Sequence, residues 1–269
     1  MNLNQLKIGI IGGGNLGIAI AKGMVESGNF TPSQITVTRR NISHLEELKE
    51  IGITVSNQNE VAVKSSELIM LAVQPKQLEA ILLEIQPYLN TEHHLLVSVI
   101  TGVSIEEIKN TVGNQIRVIR AMPNTAIAIK ESMTCIAGQN PRPEDLETVQ
   151  AIFNTVGETL VINEELMAAA TVLGACGIAF FLRFIRAASQ GGIEVGFHAE
   201  EAQLIAAQTA KGAASLLLKG ETHPEQEIDK VTTPRGCTIA GLNEMEHNGL
   251  SSALIKGIVT SYKKIENIK

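Results

Sequence analysis

Three glycines near the start of the chain have the spacing of a phosphate-binding turn. Gly12, Gly14 and Gly17 form a G-x-G-x-x-G between an apolar segment and a helix-like one, with Asn15 and Leu16 inside the motif. In such a turn the first glycine allows a tight bend, the second lets a pyrophosphate approach the backbone, and the third lets helix and strand pack closely. The helix N-terminus then offers free N–H groups to the phosphates. The motif predicts a bound dinucleotide, although an ordinary strand-to-helix turn can carry the same glycines.

The end of the next predicted strand indicates which dinucleotide is bound. A site that selects NAD places a carboxylate there, roughly 20 residues after the glycines, to bind the ribose 2′-hydroxyl. This chain has Thr38, Arg39, Arg40 and Asn41 at that point, with no acid. A guanidinium is planar, forked and permanently charged, so it suits the 2′-phosphate of NADP. We therefore expect NADPH as the cofactor, with NADH possible; the alternative is two solvated arginines on a surface loop.

Two further loops follow predicted strands, and we expect them to line the cofactor site. One consists of Ala72, Val73, Gln74 and Pro75, in which Pro75 forces Gln74 into an extended conformation. The other contains Asn124, whose side chain has the chemistry to bind either the cofactor or only its own turn.

A second candidate site lies in the other half of the chain, in the segment Thr233–Thr238. Thr233 followed by Pro234 is the pattern of a helix N-cap and a first helical position. The N–H groups from Arg235 to Thr238 would then be unsatisfied, and such a helix terminus can receive a carboxylate. A capped helix that binds no ligand has the same pattern.

The elements that must position these residues follow from the hydrophobic pattern. Up to about Ile162, short β-branched segments alternate with helical ones, which predicts a parallel sheet covered on both faces, with ligands outside the carboxyl ends of its strands. After Asn163 the strand pattern stops and segments rich in Ala, Leu, Ile and Gly predict helices. We therefore predict an α/β fold with a Rossmann-like parallel sheet domain over residues 1–163 and an all-helical domain over residues 164–269. The predicted strands are residues 7–11, 34–38, 54–56, 68–73, 95–100, 117–121, 133–137 and 159–162.

Composition limits the partners and the compartment. The 269 residues carry a formal charge of -6 without a basic stripe, which argues against nucleic acid. Cys135, Cys176 and Cys237 are odd in number and far apart, so we expect neither a disulfide framework nor a metal site, and a reducing cytoplasm fits best. The longest apolar run, residues 167–182, is shorter than the roughly 20 residues of a spanning helix, so no membrane is expected. Such apolar helices need more partners than one small domain offers, which favours a homodimer or a larger homo-oligomer.

Together these motifs resemble the pyrroline-5-carboxylate reductases. The resemblance rests on Gly12–Gly17, Ala72–Pro75, Met122–Thr125 and Val231–Leu242, in this order and spacing, and it covers nearly the whole chain. It implies reduction of 1-pyrroline-5-carboxylate to L-proline with NADPH or NADH, the last step of proline biosynthesis, and a dimer built on the helical half.

The resemblance also implies roles for the second candidate site. Thr238 matches the threonine that hydrogen-bonds the substrate ring nitrogen, and we expect it to position the ring and relay a proton. Thr233, with the backbone of Arg235, Gly236, Cys237 and Thr238, matches the loop that holds the substrate carboxylate.

The chain departs from the family pattern at several positions. Members usually have glycine where this chain has Arg235, and threonine or alanine where it has Cys237. We predict that Arg235 flanks the substrate carboxylate or the cofactor phosphates, the alternative being that it points into solvent, and that Cys237 is a buried thiol. Family members often have Ser-Gly-x-Gly-Pro-Ala-Tyr where this chain has Gly174–Phe180, which lacks the proline.

Three other functions are alternatives to this one. A β-hydroxyacid dehydrogenase would need a lysine early in the helical half, and none occurs between Lys130 and Lys211. A reductase of another cyclic imine and a non-catalytic NADP(H)-binding relative stay open, because ring size depends on pocket shape rather than on a motif.

Overall fold

A computed structural model describes residues 3, 5–220 and 222–266 of the chain. These residues include an eight-stranded sheet in the order β3-β2-β1-β4-β5-β6-β7-β8. The order reverses at β1, because the chain runs outward through β2 and β3 and then returns to place β4 on the other side of β1. The strands are β1 (Ile8–Ile11), β2 (Ile35–Thr38), β3 (Thr54–Ser56), β4 (Leu68–Leu71), β5 (Leu95–Ser98), β6 (Arg117–Met122), β7 (Ser132–Gly138) and β8 (Gly157–Val161).

Helices cover both faces of this sheet. They are α1 (Asn15–Glu26), α2 (Glu46–Glu50), α3 (Asn59–Lys64), α4 (Pro75–Ile85), α5 (Ile105–Val112) and α6 (Pro143–Asn154). One apolar core joins the sheet to α1, α2 and α6 through residues such as Ile20, Leu48 and Phe153, and a second joins it to α3, α4 and α5 through residues such as Val63 and Leu82. This double burial explains why the strands are almost continuously apolar, as in other parallel sheets.

The rest of the described chain is helical. A run that begins after the short 3₁₀ turn Glu164–Leu166 changes from α7 to a π-helical segment, Thr171–Cys176, and then to α8. These helices are α7 (Met167–Ala170), α8 (Gly177–Glu194), α9 (Ala199–Lys219), α10 (Pro224–Lys230), α11 (Cys237–His247) and α12 (Leu250–Glu266).

The described residues fall into two compact units. One extends to Cys176 and also contains the residues from Tyr262 onward, and the other is Gly177–Ser261. Residues after 163 belong to the first unit because Met167 is fully buried in a small cluster with Met122 and Ala137. The predicted boundary at residue 163 is the point where the strand pattern ends, whereas the compact unit also includes the first turns of the helical run, to Cys176.

Two elements differ from the sequence predictions. β7 pairs antiparallel with β6 and parallel with β8, so the sheet is not wholly parallel. The connection between β6 and β7 holds only the 3₁₀ helix Thr125–Ile129, and a crossover to a parallel neighbour needs a dozen or more residues. The short helix α10 lies in a segment for which no helix was predicted.

One helical run meets the length and composition of a membrane span. Residues Glu164–Glu194 have a mean hydropathy of 1.9 over their most apolar window, and 17% of that window is buried in the single chain. The apolar face of this run is therefore largely exposed in one copy of the chain.

Candidate active site

A cleft of about 420 Å³ opens at the carboxyl ends of β1, β2 and β4. It lies where the strand order reverses, which is where open α/β sheets bind their ligands. Of the predicted cofactor-binding residues, this cleft contains Gly12, Gly14, Arg39, Arg40, Ala72, Val73 and Gln74 on its wall.

The three motif glycines occupy different environments. Gly12 has a φ of +115°, and a Cβ on it would lie 2.3 Å from the carbonyl oxygen of Ala72. A Cβ on Gly17 would lie 2.1 Å from the carbonyl oxygen of Gly12, so only glycine permits this corner between β1 and α1. A Cβ on Gly14 would meet nothing within 4 Å. The space over Gly14 is open to the cleft, as the approach of a pyrophosphate requires.

The start of α1 adds hydrogen-bond donors to this open space. Gly14 is the N-cap and has no side chain to satisfy the first turn, whose first backbone bond runs from the Ile18 N–H to the Gly14 carbonyl at 2.9 Å. The N–H groups of Asn15, Leu16 and Gly17 thus precede the first residue with a partner inside the helix. They form a positive terminus suited to phosphate.

The two arginines after β2 have different contacts. The Nη1 of Arg39 donates to the Gly13 carbonyl oxygen at 2.7 Å, which ties this half-buried side chain to the glycine turn. Arg40 is exposed at the wall of the cleft. His44, one turn later, also lines the cleft and was missed by the sequence reasoning, because it belongs to a 3₁₀ helix, Ile42–Leu45, whose orientation depends on the fold.

No carboxylate occupies the position at which NAD-selective sites have one. Thr38 ends β2, and its hydroxyl donates to Asn59 Oδ1 at 2.6 Å. The amide of Asn59 in turn donates to Glu84 Oε2 at 3.1 Å. The uncharged Thr38 and Asn59 therefore line the cleft beside the two arginines, and the carboxylate of Glu84 is bound to Asn59 without lining the cleft.

The loop after β4 has the predicted geometry. Gln74 is extended, with φ -71° and ψ 145°, and caps α4, which begins at Pro75. The Gln74 N–H donates to Gln77 Oε1 at 3.3 Å, so this capping box fixes the turn at the cleft wall. The expectation that Pro75 holds Gln74 extended is confirmed.

Asn124 is 7% exposed and its amide is used within the protein. Its Oδ1 accepts from the Ala126 N–H at 3.0 Å, and its Nδ2 donates to the Gly174 carbonyl oxygen at 3.3 Å. It does not line the cleft described above, and its assignment to the cofactor stays a prediction.

The helix predicted in the segment Thr233–Thr238 begins later than expected. α11 starts at Cys237 with Gly236 as its N-cap, so the prediction that Thr233 is the cap and Pro234 the first helical residue was wrong. The cause is a tight turn in which the Gly236 N–H donates to the Thr233 carbonyl at 2.9 Å while Arg235 has a φ of 58°, outside the right-handed helical region.

The helix terminus itself is present, one turn further along. Its N-cap has no side-chain hydrogen bond, so the first N–H groups of α11, those of Cys237, Thr238 and Ile239, have no partner within the helix. Thr238 is half-buried at its second position. Cys237 is exposed in the single chain, so the expectation of a buried thiol was wrong; it begins α11 directly after a largely exposed turn.

Glycine is required beside this terminus. A Cβ on Gly236 would lie 2.5 Å from the Thr233 hydroxyl oxygen, so Thr233 packs directly against the N-cap. Thr233 and Gly236 are therefore adjacent, Thr238 lies two residues further along in the first turn of α11, and Arg235 is exposed on the turn.

No group of three or more His, Cys, Asp or Glu side chains within the described part of the chain could hold a metal ion.

Comparison with known proteins matches both halves of the chain. A family model described as pyrroline-5-carboxylate reductase dimerisation matches residues 164–268, and one described as NADP oxidoreductase coenzyme F420-dependent matches residues 7–102. Pyrroline-5-carboxylate reductase 2 of Dictyostelium discoideum is 47% identical over 97% of this chain and 92% of its own length. Pyrroline-5-carboxylate reductase 1 of the same organism is 50% identical over 100% of this chain, which spans about half (51%) of that longer protein. A solved pyrroline-5-carboxylate reductase from Coxiella burnetii superposes with a TM-score of 0.90 at 26% identity, covering 98% of each chain.

Proposed function

Because the chain belongs to the pyrroline-5-carboxylate reductase family, we propose that it reduces 1-pyrroline-5-carboxylate to L-proline with NADPH as the preferred cofactor. The observation that carries the proposal is the open space over Gly14, beside the free N–H groups of α1. No atom of the described fold would clash with a Cβ at this position. A bound pyrophosphate would, because it must approach the backbone closely there.

The residues of the cleft fit a phosphorylated dinucleotide. The first turn of α1 supports the pyrophosphate, and Arg40, exposed at the end of β2, supports the 2′-phosphate. Arg39 holds the glycine turn through the Gly13 carbonyl. NADPH, when bound, supplies the hydride that reduces the C=N bond.

The N-terminus of α11 suits the substrate carboxylate. Its free N–H groups and its positive dipole end favour an anion, and the Thr238 hydroxyl lies within the same first turn. A threonine hydroxyl is too weakly acidic to be a free general acid, so we assign Thr238 to orienting the ring nitrogen and relaying a proton. Arg235 adds a cation beside this terminus.

We also propose that the protein is a cytoplasmic homodimer or a larger homo-oligomer. Large apolar side chains of the helical unit are exposed in the single chain, including Phe181, Phe184, Leu204, Leu218 and Ile255. A surface of this kind is typical of an interface between subunits. The three cysteines are free, which fits a reducing compartment.

The test is a spectrophotometric assay of the purified protein. Oxidation of NADPH and of NADH is followed with 1-pyrroline-5-carboxylate and with its six-membered analogue, in the wild type and in Thr238→Ala. We expect turnover with the five-membered ring, a lower KM for NADPH than for NADH, and a kcat at least about tenfold lower in Thr238→Ala, as for loss of one hydrogen bond to the reacting ring.

The other outcomes identify the alternatives. Turnover only with the six-membered ring would make the protein a reductase of another cyclic imine. Binding of NADPH without turnover of either ring would support a non-catalytic relative. Full activity in Thr238→Ala would remove this threonine from the site.

A further inference from the structure

The helical run after β8 contains a π-helical segment, Thr171–Cys176, between α7 and α8. A π-helix is wider than an α-helix by about one residue per turn, is rare, and often lies at a functional site. The sequence offers a local cause, because the Thr171 hydroxyl donates to the Met167 carbonyl oxygen at 2.7 Å. The Thr171 N–H donates to this same carbonyl and to that of Ala168, so the hydroxyl shares the acceptor with the backbone. Such back-bonding slightly destabilises a helix and often bends it.

A buried polar group from another element holds this segment. The Asn124 Nδ2 donates to the Gly174 carbonyl oxygen, which is inside the π-helical turn. The orientation of the amide is fixed, since its oxygen accepts from the Ala126 N–H at 3.0 Å. The backbone of Asn124 is fixed as well, because its N–H donates to Ser132 Oγ at 3.1 Å.

The surroundings of Asn124 form a satisfied buried network. Ser132 Oγ lies 3.2 Å from the Thr134 hydroxyl oxygen, and these two side chains are 2% and 0% exposed. A buried polar network in which each member has a partner favours one arrangement over the alternatives. These contacts fix the position of the Asn124 Nδ2, so the backbone at Gly174 has to adopt the geometry that places its carbonyl oxygen within hydrogen-bond distance.

Contacts from α5 and β6 hold Glu164, in the 3₁₀ turn that leads into the same run. Glu164 Oε1 accepts from the Ile105 N–H at 2.7 Å and lies 3.5 Å from Nη1 of Arg120, a residue of β6 that is 7% exposed. The run is thus attached at Glu164 and again at Gly174. A π-helical turn contains about one residue more than an α-helical turn. If the segment between Glu164 and Gly174 changed from π to α geometry, the side chains after it would therefore rotate about the helix axis by about 100°, the angle of one residue in an α-helix.

We infer that Asn124 is a positioning residue whose amide keeps the helical run in its π-helical register at the carboxyl edge of the sheet. β6 runs parallel to β5 and β4, so Asn124, just after β6, lies on the edge that also carries the glycine turn and Gln74. This inference rests on the proposed function for its kinetic consequence, but the structural part does not depend on it.

The consequence concerns turnover rather than cofactor choice. Four strand spacings separate β2 from β6 in the sheet, which is about 19 Å at roughly 4.8 Å each. The 2′-phosphate end of the cleft is therefore remote from Asn124. Loss of the Asn124 donor should lower kcat while the ratio of KM values for NADPH and NADH stays constant.

The test compares Asn124→Asp with Asn90→Asp. Aspartate at 124 keeps the acceptor for the Ala126 N–H but replaces the donor to Gly174 by an oxygen. Asn90 is a matched control, because its Oδ1 accepts from the N–H groups of Glu92 and His93, and aspartate can do the same. Hydrogen exchange of peptides spanning residues 167–180 is measured in the purified protein without substrate, together with kcat and both KM values.

We expect exchange in this region to rise at least about tenfold in Asn124→Asp and not in Asn90→Asp, with kcat reduced at least about tenfold and the KM ratio unchanged within about twofold. If Asn124→Asp does not fold, Asn124→Ser replaces it, since serine caps the 3₁₀ helix without a donor that reaches Gly174. Unchanged exchange in the Asn124 variant would overturn the inference, and so would a selective loss of NADPH affinity. Absence of activity in the wild type would refute the proposed function alone, because the exchange measurement uses no substrate.

Discussion

Gly14 and Gly17 offer a paired test of the cofactor site, because alanine should harm a different property at each. At Gly17 the new Cβ would lie 2.1 Å from the Gly12 carbonyl oxygen and 3.3 Å from Ile10 Cγ2. Carbon and carbonyl oxygen normally approach to about 3.3 Å. The corner between β1 and α1 would have to open by about 1 Å, against backbone on one side and the apolar core on the other.

The expected effect on folding follows from that displacement. Overpacking costs about 1–3 kcal/mol and occasionally more, and a clash with backbone belongs at the upper end. At about 2–4 °C per kcal/mol for a chain of this size, we expect the Tm of Gly17→Ala to fall by roughly 6–12 °C. At Gly14, which is the N-cap of α1, the new Cβ meets no atom within 4 Å, and the loss should stay within about 1 kcal/mol because alanine is a poorer cap than glycine.

For cofactor binding we expect the larger effect at Gly14, the position at which the effect on stability is the smaller. A methyl group on Gly14 fills the space that the pyrophosphate needs, and each hydrogen bond to a charged group contributes about 1.5–3 kcal/mol. Loss of about 2.8 kcal/mol raises the Kd for NADPH about 100-fold. NADH should weaken by the same factor, since both cofactors share the pyrophosphate.

Both expectations are tested in Gly14→Ala, Gly17→Ala and the wild type by two measurements: Tm by calorimetry without ligand, and the Kd for NADPH from the fluorescence of the bound cofactor. Wild-type affinity in Gly14→Ala would refute the placement of the pyrophosphate. An unchanged Tm in Gly17→Ala would refute the steric argument for the third glycine.

Three further outcomes are expected. Arg40→Ala should raise the KM for NADPH about tenfold or more and change the KM for NADH little. Arg39→Ala, which loses the hydrogen bond to Gly13, should raise both KM values by a similar factor. Steady-state kinetics with each cofactor measures both effects. Arg235→Gly should relieve the cost of a positive φ, about 1 kcal/mol, and raise Tm slightly while raising the KM for substrate; a KM and a salt dependence equal to the wild type would show that Arg235 touches no ligand. Burial lowers the pKa of His94, so the stability that this residue contributes is complete above its unfolded pKa of about 6.5 and is lost as the pH falls through the lower folded pKa. Between pH 8 and pH 5, the free energy of unfolding measured with denaturant should therefore decrease less in His94→Gln than in the wild type. An equal decrease in the two proteins would contradict this assignment.

Local signals in the sequence predicted the backbone geometry of the loops at the cleft well. The conformation of a glycine turn or a Gln-Pro step depends on a few adjacent residues, so Gly12 and Gln74 have the expected backbone geometry. Alternation of strands and helices then places their loops at one edge. The contact between Arg39 and Gly13 joins two separate loops and has no signature in a single sequence.

The start of α11 illustrates the limit of such rules. Thr-Pro is a good helix start, yet Thr233 packs its hydroxyl against Gly236, and Arg235 takes the left-handed conformation that glycine usually supplies. Local preference was overridden by a turn that glycine at 236 makes possible. A helix with free N–H groups does begin in this segment, because any helix start has them, but it begins three residues later than predicted, at Cys237 rather than Pro234.

Asn124 shows why a residue can be placed at the correct edge of the sheet while one of its contacts stays unpredicted. The sequence allowed its amide two partners, the cofactor or its own turn, and the structure adds a third, a carbonyl of a π-helical turn that begins at Thr171. This partner follows from the burial of Met167 against the end of β6, which brings residues 164–176 onto the sheet domain. A role of this kind depends on where two distant segments pack, so it becomes testable only when exchange in the helical run is measured separately from cofactor affinity.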